Sequence, residues 1–131
     1  MKQRWEFDFI RAIDELEIEL NLKNTVPHWD SMARASYTPS NFKDIEIYLE
    51  HYNKLSDESK KFILIEIIMD AVAEQPNEIE FWKYWKKVKP ILTREYSIHE
   101  YTVNYWKDMT AANFENCKFL SQELNKLIQE M

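Results

Sequence analysis

The chain has 131 residues, a formal charge of −6 at pH 7 and no glycine. This length is typical of one domain, and 45% apolar with 31% charged residues excludes a disordered chain. The acidic balance disfavours nucleic acid or an anionic membrane as the main partner, because both attract clustered Lys and Arg. We therefore predict a single domain over 1–131 whose partner is another protein, and a basic one.

The absence of glycine excludes several kinds of fold and site. Average usage of ~7% would give about nine glycines in a chain of this length. Tight hairpin turns use glycine for positive φ, so a sheet-rich fold is disfavoured. Phosphate loops, dinucleotide fingerprints, calcium loops and nucleophile elbows also need glycine at fixed positions. We predict an all-α protein that is not an enzyme and binds no cofactor.

Three further features bear on the compartment. No run approaches the ~18 apolar residues of a membrane helix. The first residues, Met-Lys-Gln-Arg-Trp-Glu, lead into an acidic amphipathic stretch and not into an apolar signal core. Cys117 is the single cysteine and can form no internal disulfide, which agrees with a reducing compartment. We expect a cytoplasmic protein without a membrane partner.

The first predicted helix runs from 5 to 22 and has two apolar faces. Residues at three- and four-residue spacing form an inner stripe: Trp5, Phe9, Ala12, Ile13, Leu16 and Leu20. A helical projection places Phe7, Ile18 and Leu22 on the opposite face. Because two apolar faces need two neighbours, the outer face is predicted to bind a partner, the following connection or a second copy in a homodimer. Its candidate binding residues are Phe7, Asp8, Glu15, Ile18 and Glu19.

Residues 23–40 form a long connection that contains Pro27 and Pro39. Such a length is uncommon unless the segment folds locally or serves a function. Loops often hold binding residues, and Trp, Tyr and Arg are enriched at interface hot spots. The candidate binding residues of this loop are Trp29, Asp30, Arg34 and Tyr37.

The second and third helices follow the loop. Ser40 or Asn41 is predicted to cap a helix that ends near Asn53. Ser56 is predicted to cap the third helix, 57–75, which Pro76 ends. This third helix is apolar almost all round between 62 and 73, which is typical of a helix at the centre of a bundle.

An acidic strip interrupts the apolar surface of the third helix. It consists of Glu66, Asp70 and Glu74, which share one face. Carboxylates on one helical face usually form a solvated surface. The alternative is a docking strip that steers a basic partner, and on that interpretation all three are candidate binding residues.

The remaining segments predict three more helices. Asn77 with Glu80 indicates a capping box, and the helix that follows is predicted to bury Ile79, Trp82, Trp85 and Val88 before Pro90 ends or kinks it. Residues 95–108 are rich in β-formers, yet Ser97 followed by Glu100 favours a helix. The last helix is predicted to begin after Thr110 and to bury Phe114, Cys117, Leu120 or Ser121, Leu124 and Ile128. The predicted fold is an all-α, compact bundle of five or six helices around helix 57–75.

In size and composition this small, acidic, motif-free chain resembles the immunity proteins that bacteria keep against their own contact-dependent or secreted toxins. The resemblance implies stoichiometric binding of a toxin without turnover. It also implies that acidic residues face a basic toxin surface and shield its active site. These residues would be Asp8, Glu15, Glu19, Glu66, Asp70 and Glu74.

Two other interpretations stay open. The basic-aromatic segment 83–94 could belong to a nucleic-acid-linked regulator, although its aromatic residues fall mostly on the inner face and its lysines on the outer one. A small metal-dependent enzyme could use His28, or the pair Glu95 and His99. That pair has no obvious third ligand, so we predict an ion pair at the surface or at the helix N-terminus, and no metal. Cys117 is expected to be a buried hydrophobic residue.

Overall fold

A computed structural model describes residues 2–21, 41–108 and 116–130. In these ranges the chain is helical and has no strand, which confirms the predicted all-α class. The α-helices are α1 (Phe9–Leu20), α2 (Ile45–Tyr52), α3 (Glu58–Ala73), α4 (Glu78–Arg94), α5 (Tyr96–Lys107) and α6 (Asn116–Glu130). Short 3₁₀ turns at Arg4–Glu6 and Phe42–Asp44 precede α1 and α2.

The chain divides into two compact units near the end of α3. The N-terminal unit comprises residues 3–71, and the C-terminal unit comprises residues 72–131 with residues 1–2. In the C-terminal unit α5 packs along α6, and α4 contacts both helices. That the whole chain forms one domain stays a prediction.

The first helix is shorter than its periodicity predicts. It begins at Phe9, where the Ala12 amide donates to the Asp8 carbonyl (3.0 Å), and it ends at Asn21. Asn21 adopts the left-handed conformation (φ 56°), a position that glycine often takes at a helix C-terminus. Ala12, Ile13 and Leu16 are buried as predicted.

The two aromatic residues before α1 exchange the positions that the helical projection gave them. Trp5, predicted to lie on the inner stripe, is 73% exposed, whereas Phe7, predicted to face outward, is 3% exposed. Phe7 stacks on Phe62 with a centroid distance of 4.0 Å. The projection was wrong because both residues precede the helix, where side chains do not recur at 100° intervals.

The third helix is buried around almost its whole circumference. Asp57 caps it by accepting a hydrogen bond from the Lys60 amide (2.9 Å), so the cap lies one residue after the predicted Ser56. The fully buried side chains are Phe62, Ile63, Leu64, Ile65, Ile67, Ile68, Met69, Ala71, Val72 and Ala73. The prediction of a helix that is apolar almost all round, interrupted by Glu66 and Asp70, is confirmed.

The fourth helix begins and continues differently from its prediction. Asn77 accepts a hydrogen bond from the Glu80 amide (2.9 Å), which confirms the predicted cap. Ile79, predicted to be buried, is 80% exposed, because the inner face is built from Phe81, Tyr84, Trp85 and Val88. Pro90 lies inside the helix, which continues to Arg94.

The predicted helix over 95–108 is confirmed as α5, but His99 is not at the surface. The helix begins at Tyr96, before the predicted cap at Ser97. His99 is fully buried on the inner face with Val103, so its predicted position at the surface was wrong. An ion pair with Glu95 at the N-terminus of the helix stays a prediction. Sequence spacing alone could not show that this face turns toward the core.

The last helix is fixed to the start of the C-terminal unit by a buried amide. The Asn116 side chain donates to the carbonyls of Ala73 (3.2 Å) and Gln75 (2.8 Å). Cys117, Leu120, Ser121, Leu124 and Leu127 are buried, whereas Ile128, predicted to be buried, is only half-buried. The predicted start after Thr110 and the burial of Phe114 lie outside the described residues.

Replacing Phe7 with alanine should destabilise the protein strongly. Phe7→Ala removes a buried aromatic ring, which costs about 3–5 kcal/mol in free energy of unfolding, measured by urea denaturation. Trp5→Ala is the matched control and should cost less than about 1 kcal/mol, because Trp5 is largely exposed. Equal effects of the two substitutions would contradict the burial of Phe7.

Asn116→Ala should destabilise the protein by about 1–3 kcal/mol, because it leaves two buried carbonyls without their donor. Asn125→Ala on the same helix is the control. Asn125 is exposed and donates to the Ser121 carbonyl one turn away (2.9 Å), so its loss should cost less than about 0.5 kcal/mol. Thermal unfolding followed by circular dichroism would show no difference between the two variants if the Asn116 bonds did not matter.

Candidate functional site

The net negative charge of the chain belongs to one of the two units. Residues 3–71 contain 14 of the 23 carboxylates and 8 of the 17 Lys and Arg residues, so their formal charge is −6. The C-terminal unit contains nine of each and is formally neutral. A basic partner would therefore be attracted to the N-terminal unit.

A network of ion pairs ties α1 to α3 in the N-terminal unit. The Arg11 guanidinium donates to Asp8 (2.8 Å), Glu15 (2.5 Å) and Asp57 (3.1 Å). The Lys60 ammonium lies 2.5 Å from Glu19 and 3.5 Å from Glu15. Two cations thus hold four carboxylates in one array.

The same network reaches α2. The His51 imidazole Nε2 lies 2.7 Å from a Glu19 carboxylate oxygen. Glu19 therefore contacts both His51 on α2 and Lys60 on α3, and its carboxylate links α1, α2 and α3. His51 itself is half-buried.

The network displaces the pKa of several of its members. Burial alone would raise the pKa of Glu19, but hydrogen bonds from Lys60 and His51 outweigh it and lower that pKa. The hydrogen bond from the Lys60 amide, opposed by burial and assisted by Arg11, lowers the pKa of Asp57. The hydrogen bond to Glu19 raises the pKa of Lys60, against the effect of burial. The folded state therefore favours the charged form of each group.

The carboxylates predicted to face a partner are consequently already engaged within the chain. Asp8, Glu15 and Glu19 all belong to the network. Their role in steering a partner stays a prediction, but the charge that they present is partly neutralised by Arg11 and Lys60.

The predicted acidic strip of α3 is half-buried. Glu66 and Asp70 lie in the N-terminal unit and Glu74 in the C-terminal unit. Each already makes a polar interaction within the chain. The strip is therefore less open to solvent than a solvated face, and a docking role for it stays a prediction.

The most exposed isoleucines of α1 and α2 are Ile18 and Ile47. Ile18 is 83% exposed, as the helical projection predicts, and Ile47 is 55% exposed. They lie on helices that the Glu19–His51 bond joins, and Ile47 is flanked by the exposed Glu46 and Glu50. We call Ile18, Ile47, Glu46 and Glu50 the α1–α2 face.

Sequence reasoning missed Ile47, although a signal for it exists. The buried residues of α2 are Ile45, Tyr48, Leu49 and Tyr52. At 100° per residue this stripe leaves position 47 on the opposite side of the helix, so an isoleucine there needs a neighbour or faces solvent.

The other predicted binding residues do not contribute to this face. Phe7 lies in the core against Phe62. The loop residues Trp29, Asp30, Arg34 and Tyr37 lie outside the described residues, and their binding role stays a prediction.

A basic surface lies on the C-terminal unit, along the outward side of α4. Its exposed residues are Ile79, Lys83, Lys86, Lys87, Pro90, Thr93 and Arg94, and the exposed Glu78 lies at the beginning of the same helix. The half-buried Glu80 approaches Lys83 (4.0 Å) from the flank. We call Ile79, Lys83, Lys86, Lys87 and Arg94 the α4 face.

The aromatic residues of α4 lie mostly on its inner side. Phe81, Tyr84 and Trp85 are buried, and the ammonium groups of Lys83 and Lys87 lie 5.1 and 5.7 Å from the Tyr84 ring centroid. Trp82 is half-buried. The prediction that the aromatic residues fall mostly inside and the lysines outside is confirmed. Buried rings are not available to stack on bases, which disfavours single-stranded nucleic acid as a ligand.

Among residues 2–21, 41–108 and 116–130, no group of three or more His, Cys, Asp or Glu side chains is placed to hold a metal ion. Cys117 is buried, as predicted. Within the same ranges, none of the helices has the length and apolar character needed to cross a membrane.

Comparison of the chain with protein-family models, with curated proteins and with solved structures gives no match. Any argument about function therefore depends on the surfaces described above.

The stability of the protein should fall in acid because of the network. Glu19 and Asp57 have lowered pKa values, so the stability that they contribute is present above their ordinary values of 4.5 and 3.8 and is lost as pH falls through the folded-state values. Urea denaturation should show a falling free energy of unfolding below about pH 4.5.

The substitution Lys60→Met tests whether the ion pairs of Lys60 contribute to this loss of stability in acid. At pH 7 it should lower the free energy of unfolding by roughly 1 kcal/mol, and the difference from the unsubstituted protein should be smaller at about pH 2.5, because protonation of Glu19 as the pH falls removes its attraction to Lys60. Lys54→Met is the control, because Lys54 pairs with Glu50 at 3.8 Å while both side chains are largely exposed. A Lys60→Met effect of the same size at both pH values would contradict the assignment.

Proposed function

We propose that this protein is a non-enzymatic binding domain, namely a bacterial cytoplasmic immunity protein or antitoxin that neutralises a basic toxin by forming a stoichiometric complex. The observation that supports this proposal is the exposure of Ile18 and Ile47 on the acidic unit, on two helices that the Glu19–His51 bond joins. We assign toxin binding to the α1–α2 face.

The composition of the α1–α2 face suits a protein partner. Protein interfaces combine a desolvated apolar centre with a polar rim, and a few side chains contribute most of the binding energy. Ile18 and Ile47 supply the apolar centre, and Glu46 and Glu50 supply acidic residues at its edge. The formal charge of −6 on this unit would accelerate encounter with a cationic surface.

The ion-pair network supports the proposal by fixing the helices that present this face. Glu19 bonds to His51 and Lys60 and so connects α1, α2 and α3. Glu19 directly follows Ile18 in the sequence, and His51 lies one helical turn after Ile47. A surface held in its binding conformation loses less entropy on association. Stoichiometric inhibitors gain affinity from such preorganisation.

A nucleic-acid-linked role is the less favoured alternative. The α4 face is cationic, but the C-terminal unit to which it belongs is formally neutral. The rings of Phe81, Tyr84 and Trp85 on α4 are buried. Both observations weaken that alternative, and no described residue favours a metal-dependent enzyme.

The experiment is co-expression with the product of the gene immediately upstream in the source genome. If the proposal is correct, that product arrests growth when expressed alone, and this protein restores growth and forms an equimolar complex with it, measured by light scattering after size-exclusion chromatography. A neighbouring product that is harmless, or whose toxicity this protein does not relieve, would overturn the immunity assignment.

Two substitutions locate the binding surface. Ile18→Glu with Ile47→Glu should abolish protection and weaken the complex at least 100-fold, because a carboxylate would be buried against the toxin. Ile79→Glu is the matched control, since Ile79 is as exposed as Ile18 but lies on the other unit. Loss of protection by Ile79→Glu alone would place the toxin site elsewhere.

A further inference from the structure

The two units expose surfaces of complementary chemistry. The α1–α2 face combines two exposed isoleucines with exposed glutamates, and the α4 face combines an exposed isoleucine with four cations. The first belongs to a unit of charge −6 and the second to a neutral unit. One copy of the chain therefore offers both halves of a charge-matched contact.

The cations of the α4 face form a continuous stripe. Positions 83, 87 and 94 follow one side of the helix at intervals of four and seven residues, and they extend over roughly 16 Å at 1.5 Å per residue. Lys86 and Arg94 make no ion pair with any described residue. They differ in this from Arg11 and Lys60, which the described carboxylates neutralise.

The exposed apolar side chain in this stripe favours a protein over a polyphosphate. Ile79 and Pro90 lie among the cations, and a phosphate backbone gains little from contact with aliphatic groups. A protein surface with both carboxylates and aliphatic side chains can pair with the cations and also contact the apolar side chains of the stripe. The α1–α2 face has that composition.

We propose that the protein associates with itself by docking the α4 face of one copy onto the α1–α2 face of a second copy. Because the two contacting surfaces differ, the contact is heterologous, and it produces a closed dimer or a longer chain according to whether the rotation closes. Lysines and Arg94 of one copy would face Glu46 and Glu50 of the other. Self-association needs no toxin and can be tested without one.

This association would also regulate the proposed function, and that consequence alone rests on the toxin assignment. A second copy seated on the α1–α2 face covers Ile18 and Ile47, so a basic toxin must displace it. In the absence of toxin, the α1–α2 face would be covered in a weak complex between copies of the protein. Toxin binding would dissociate that complex into monomers.

The test is the weight-average mass of the purified full chain, measured by sedimentation equilibrium. The mass should exceed 16.0 kDa increasingly as the concentration rises from about 10 µM to about 1 mM, and it should return toward the monomer mass in about 1 M NaCl, which screens the charges. A mass that stays at 16.0 kDa over the whole range at low salt would overturn the proposal.

Charge reversal identifies the two faces. Lys86→Glu with Lys87→Glu should give a monomer, and so should Glu46→Lys with Glu50→Lys, whereas an equimolar mixture of the two variants should associate again because each then meets an opposite charge. Lys118→Glu with Lys126→Glu is the control. It makes the same charge change on exposed residues of α6 and should leave association intact.

The mixing experiment guards against a variant that fails to fold. Circular dichroism of each variant checks its helicity, and an unfolded variant could not restore association when mixed with its counterpart. Failure of the mixture to associate, with both variants folded, would show that these faces do not meet. The toxin co-expression assay is independent, so either proposal can fail while the other stands.

Discussion

The structure depends on covering α3. Between Phe62 and Ala73 this helix has apolar side chains in every direction, and nearly all of them are fully buried. A helix with this composition is stable in water only when other elements surround it, since each exposed aliphatic side chain would forfeit roughly 1.5–3 kcal/mol of burial. The amphipathic helices elsewhere in the chain each turn one apolar stripe inward, and Phe7 contributes one of the covering rings.

The ion-pair network explains why the acidic helix α1 can lie beside other acidic elements. Without Arg11 and Lys60, Glu15, Glu19 and Asp57 would repel one another across α1 and α3. With them, the carboxylates become connections between elements. What the N-terminal unit then offers a partner is defined less by its total charge than by the side chains outside the network, Ile18 and Ile47 first among them.

Periodicity predicted the all-α class and most helices because amphipathic stripes are a local property of the sequence. It failed at helix ends. The positions of Trp5 and Phe7 depended on a helix start at Phe9, and Ile79 lies in the first turn of α4, before the inner stripe is established. The ion pairs of Arg11 with Asp8 and Glu15 join neighbours on one helical turn. Those of Arg11 with Asp57 and of Lys60 with Glu19 could not be predicted, because they join residues 46 and 41 positions apart whose proximity only tertiary packing decides.

The left-handed Asn21 has a consequence for the unfolded chain. Where many helices end in glycine, α1 ends in a residue with a side chain, and the full sequence contains no glycine at all. A residue with a side chain samples a narrower range of φ and ψ in the unfolded chain than glycine does. Its folding therefore costs less conformational entropy, by roughly 0.5–1 kcal/mol for each glycine that is replaced. The folded state is favoured in part by the conformations that the unfolded chain cannot reach, a contribution that no contact in the structure displays.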